Sequence, residues 1–181
     1  KQRPLRIAYW ITMSRSMFWV TLFIYGPIYV IEARLPTWVA GGLLSLASGL
    51  LLISPLIRRF AGRVGTRLTI IYALVLIGSS MLMLYFIGEP KLIGLVFWVS
   101  AALGGVTLDV LGNIPFMRMV KPRERIEMTM IFSTWREGSQ LLTPLMASLV
   151  LLFAPFEIFY VLLALFLFGA AIKASYLPRR L

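Results

Sequence analysis

The sequence predicts an all-α membrane protein, a single bundle of six transmembrane helices. Three observations carry that reading: an apolar composition, six apolar stretches of spanning length, and basic residues gathered on one side. Of 181 residues 60% are hydrophobic and 14% charged, with a mean hydropathy of +0.88, whereas a soluble domain is roughly 25% charged. A span needs roughly 20 apolar residues, and cutting the chain at its charged and Pro-containing segments leaves stretches near 7–31, 37–57, 68–87, 92–117, 128–153 and 157–177. None shows the sustained alternation of an outer-membrane barrel strand, and all are too long for one. The links between them are short, as in an antiparallel helical bundle.

Segment one carries Arg15 where a signal peptide needs an uncharged core, so it reads as a true span. A basic connection, 58–67, separates segments two and three, and another, 118–127, separates segments four and five. With the two ends of the chain these connections hold fourteen Lys and Arg on one face, against Arg34 and Lys91 on the other. Basic residues are retained in the cytoplasm, so both ends are expected there, in the plasma (inner) membrane of a multi-pass protein. Glu32, Glu89 and Glu157 fall on the opposite side. The net charge of +11 is thereby a topology signal: the partner it implies is a lipid bilayer and not nucleic acid. Absence of Cys and His removes disulfides, thiolate and most zinc sites, and the commonest general bases. Neither an enzyme nor a cofactor or metal is expected.

Four charges remain inside the spans: Arg15, Asp109, Arg136 and Glu137. Each is costly in lipid and by default faces a partner or a water-filled cavity. Counted along their helices at 1.5 Å per residue they lie ~12–15 Å deep, in one layer. A structural ion-pair network and a substrate or proton site are equally compatible with four charges that sum to zero. The expected pairs are Arg15 with Glu137 and Arg136 with Asp109. In segment five Thr129, Ser133, Arg136, Gln140 and Thr143 form a polar stripe at helical spacing, flanked by Glu137. In segment four Gly105, Asp109 and Asn113 stack at four-residue intervals, which makes Asp109 a proton-binding candidate beside Asn113. Gly41, Ser45 and Gly49 give segment two a small-residue face that reads as helix packing.

Pro27, Pro55, Pro115 and Pro144 fall in segments one, two, four and five, while the interiors of three and six have none. The chain thus divides into two triplets, about 5–88 and 89–177, each with two kinked members and one smooth support. An odd number of spans per triplet inverts the second relative to the first. Nested three-plus-three inverted repeats resemble the six-helix half of a major facilitator superfamily transporter. The connection Gly62-Arg63-Val64-Gly65-Thr66-Arg67 is similar to the end of that family's cytoplasmic loop signature, Asp-Arg-x-Gly-Arg-Arg/Lys. Arg63, Gly65 and Arg67 match it; Gly62 replaces the acid and Arg58 stands where a leading Gly would be. The stretch Lys121 to Thr143, with Pro122, Arg123, Glu124 and Arg125 ahead of Gly138 and Pro144, looks like the link into the eleventh helix of such carriers.

The resemblance spans essentially the whole chain as helices seven to twelve, so an N-terminal six-helix half is an expected partner. It implies a secondary active transporter of a small molecule, anionic or drug-like, working by proton-coupled alternating access. Arg15, Trp19, Asp109 and Asn113 would face its central cavity, with Asp109 or Glu137 as proton carrier and Arg15 or Arg136 attracting an anionic group. Gln140, on the polar stripe, is a further binding candidate. The alternative is a non-transporting six-helix membrane scaffold or subunit.

Overall fold

The computed structural model describes residues 3–120 and 125–178, and among them every regular element is helical. Residues 1–2, 121–124 and 179–181, which include several charges counted above, lie outside the described residues. Helix α1 runs Arg3–Glu32. Helix α2 (Thr37–Gly49), a 3-10 turn (Leu50–Ile53) and α3 (Ser54–Val64) follow as one rod. Helix α4 (Thr66–Ile87) leads to α5 (Gly94–Leu111) and the short α6 (Ile114–Met119). The chain closes with α7 (Arg125–Phe153) and α8 (Glu157–Ala174).

Five of these segments are long and apolar enough to cross a membrane: α1, the α2–α3 rod, α4, α5 with α6, and α8. Helix α7 has the length, but Arg136 and Glu137 leave it only the residues from Gly138 to Phe153 as an uncharged run, shorter than a full span.

Two boundaries differ from expectation for identifiable reasons. The predicted basic connection 58–67 is helical except at Gly65, since Arg is a good helix former and the glycine alone leaves the helical region, with φ +100°. Of the four prolines, only Pro55 and Pro115 coincide with breaks. Each occupies the first turn of a new helix, where its missing N–H is not needed. Pro27 and Pro144 sit inside uninterrupted helices.

Helix α1 is the hub, touching α2, α5, α6, α7 and α8, while α4 packs along both α5 and α8. Three hydroxyls of α1 are satisfied within the helix: Thr12, Ser14 and Thr21 donate to carbonyls one turn back, as polar groups in apolar surroundings must. Tyr29 pins the far end of α1. Its hydroxyl donates to the Lys91 carbonyl at 3.0 Å and accepts from the Lys91 N–H at 3.1 Å. Glycine permits the closest helix approaches. A Cβ at Gly104 would lie 2.6 Å from Ile77 and 2.9 Å from the Ala73 carbonyl of α4, and one at Gly105 would lie 2.6 Å from the buried Phe18 ring of α1. The Gly41, Ser45 and Gly49 face, read as packing, is exposed in this chain, and no atom lies within 4 Å of a Cβ built at either glycine. Leu43 and Ala47, on another face of α2, are the residues that pack.

Candidate functional site: a charged cavity between α1, α5 and α7

The Gly105 contact draws α5 against α1 one turn from Asp109, and there the Arg15 Nε lies 3.2 Å from Asp109 Oδ1. The side chain of Arg15 is 9% exposed and that of Asp109 28%. This is the one ion pair among the described residues. The expected pairing of Arg15 with Glu137, and of Arg136 with Asp109, is therefore corrected. Helix α7 packs mainly on α1, so its charges do not reach α5, and Arg136 and Glu137 are both exposed on its surface.

Arg15 has a second restraint, because its guanidinium carbon sits 4.8 Å from the centre of the Trp135 ring, within the range of a cation–π contact. Helices α1 and α7 are joined beside it by Ser139, whose hydroxyl lies 2.5 Å from that of Ser16, and nearer the helix start by Tyr9 and Thr134 hydroxyls 3.3 Å apart. The Trp19 indole N–H is buried and makes no hydrogen bond of ordinary geometry, although it is close enough to Asp109 to interact with the carboxyl.

These groups wall a cavity of about 480 Å³, a size typical of small-molecule sites. Arg15, Asp109, Arg136 and Gln140 supply its polar wall, and Trp19, Phe23, Ile24 and Trp135 its apolar one. Counted along the helices, Arg15 is ten residues from Leu5 and Asp109 eight from Met117, ~15 and ~12 Å respectively. No family model, curated protein or solved structure matches the chain.

Of the residues singled out in the sequence, Arg15, Trp19, Asp109, Arg136 and Gln140 converge on this cavity. Asn113 does not: the helix breaks after Leu111, and Asn113 is exposed in the turn before α6. Glu137 is exposed on α7 and is not among the lining residues. The loop-signature residues lie elsewhere. Arg63 is exposed in the last turn of α3, Gly65 forms the turn, and Arg67 is half-buried at the start of α4, its Nε buried without a hydrogen-bond partner. Ser16 and Trp135 were not anticipated. Continuing the face of Arg15 along α1 gives Ser16, Trp19, Val20, Phe23 and Ile24 at helical spacing, and that signal was present; nothing in the sequence marked Trp135.

Proposed function

We propose that this chain is a six-helix half of a secondary active transporter of the major facilitator type, moving a small organic anion by proton-coupled alternating access. The observation that carries the proposal is the cavity itself. It sits at spanning depth in a bundle of apolar helices, and it combines a carboxylate–guanidinium pair with a second arginine that has no ion-pair partner among the described residues. Such a combination is expensive in a membrane unless it serves a path or a site.

In this reading Arg136 receives the anionic end of the substrate, Gln140 hydrogen-bonds to it, and Trp19 and Phe23 cover its apolar body. A proton taken up on an Asp109 oxygen breaks the pair with Arg15, so protonation and the charge state of the cavity change together. Six spans in two inverted triplets, with both ends in the cytoplasm of a plasma-membrane protein, complete the proposal; sidedness of the basic connections supports it. Helix α7, the least apolar of the six, carries two charges at this level, of which Arg136 lines the cavity.

The test is transport into proteoliposomes carrying a trapped pH dye, with aromatic carboxylates as probes. Addition of a transported probe should move protons. Asp109→Asn, nearly isosteric and unable to cycle a proton, should abolish that movement while leaving the protein folded. Undiminished proton movement in this variant would remove Asp109 from the mechanism. Total absence of probe flux in the natural protein would favour the scaffold reading.

A further inference from the structure

Away from the cavity, α3 differs from every other helix in the bundle. It bears three arginines, Arg58, Arg59 and Arg63, among the apolar Leu56, Ile57 and Phe60. Its apolar side closes a groove of about 290 Å³ with α4 and α5, lined by Phe60, Tyr72, Leu76, Leu103 and Thr107 among others. Arg63 follows Phe60 by three residues and Leu56 by seven, so it continues the groove face of α3 by one further turn. Thr69 and Thr107 belong to the same end of the groove as Gly65, and Leu76 and Leu103 to the deeper end.

The rod from Thr37 to Val64 has 28 residues, about 42 Å at 1.5 Å per residue, against a hydrocarbon core of about 30 Å. The excess of about 12 Å matches its last two turns, which carry all three arginines; with those turns at headgroup level, the groove descends into the acyl region. No Asp or Glu occurs between Glu32 and Glu89. None of the three arginines has an ion-pair partner among the described residues. Positive charge at headgroup level, with an apolar furrow leading down from it, matches an anionic phospholipid in charge and in shape.

We propose that the α3–α4–α5 groove is a binding site for an anionic phospholipid: the phosphate rests on Arg63 and Arg59, and one acyl chain lies along Phe60, Tyr72, Leu76 and Leu103. This site is independent of the transport reading, because it shares no residue with the charged cavity.

Native mass spectrometry of the full chain tests it, with delipidated protein in neutral detergent titrated with phosphatidylglycerol or phosphatidylcholine. Phosphatidylglycerol should bind in preference, and Arg59→Gln with Arg63→Gln should weaken it by about fivefold per arginine removed. Leu103→Trp, which fills the groove and changes no charge, should also displace it, whereas Lys91→Gln at the opposite end should not. Because Leu103 is part-exposed, that variant keeps a folded comparison even if the double arginine variant is poorly folded. Equal binding of both lipids would overturn the proposal, as would retention of phosphatidylglycerol by Leu103→Trp. Displacement by millimolar inorganic phosphate would also overturn it, marking a phosphate site instead of a lipid site.

Discussion

Arg15 of α1 and Asp109 of α5 form an ion pair at 3.2 Å, and Trp135 of α7 covers the same guanidinium. One side chain thus ties three helices together at the cavity wall. Arg136, on the neighbouring face of α7, lines the same cavity without joining that tie. Structural charge and available charge are therefore carried by different arginines.

The structural half of this division predicts a stability asymmetry. Asp109→Ala strands a buried guanidinium and should cost about 2–3 kcal/mol, somewhat below the usual range for breaking a buried pair because Asp109 is partly exposed. Adding Arg15→Met, which keeps the apolar stem, should recover most of the loss. Arg136→Ala is expected to change stability by no more than about 0.5 kcal/mol. Melting temperatures of these three variants and of Arg15→Met alone, in detergent, check this; additive losses in the double variant would show that Arg15 and Asp109 do not depend on each other.

The extent to which this arrangement was legible in the sequence follows from what charge and periodicity encode. Helix positions were readable because span length and basic links are one-dimensional properties of the chain. Depth, counted from helix ends, put Arg15, Asp109, Arg136 and Glu137 in one layer, but it could not say which of them line a common cavity, and Glu137 does not. Which acid pairs with which base was not readable, because pairing depends on the neighbour relations of helices, and these are set by side-chain shape at contacts such as Gly105 against Phe18. Asn113 misled for a different reason: its four-residue spacing from Asp109 assumes an unbroken helix, and the chain breaks at Gly112 ahead of Pro115.

Gly105 provides a second prediction. Phe18 is fully buried and cannot swing away cheaply, so the methyl group of Gly105→Ala must push α5 from α1. A loss of about 1–3 kcal/mol is expected, in the range of other overpacked contacts. The widened gap should lengthen the Arg15–Asp109 pair as well. Combining Gly105→Ala with Phe18→Leu should relieve part of the strain. A neutral Gly105→Ala would show that the close approach of α1 and α5 is not required.

The route of the chain through the bilayer gives a third prediction. Gly62 and Glu89 lie at opposite ends of α4, and both are outside its apolar run. The natural chain has no Cys, so Gly62→Cys and Glu89→Cys report without background. An impermeant maleimide should label position 62 from the cytoplasm and position 89 from outside. Labelling of both from the same side would rule out the proposed six-span arrangement and the proposed inverted repeat with it.

The central claim is that the cavity between α1, α5 and α7 opens in turn to the two sides of the membrane, and it can be tested without knowing the substrate. Gln140 lines that cavity and is exposed on α7, so Gln140→Cys places a thiol at the site. Alternating access predicts that an impermeant maleimide labels this thiol when applied from outside to intact cells and also when applied from inside to inverted vesicles. An aromatic carboxylate that the protein transports should slow both reactions. Labelling confined to one side under every condition would contradict the account and leave the Arg15–Asp109 pair as a structural tie in a membrane scaffold.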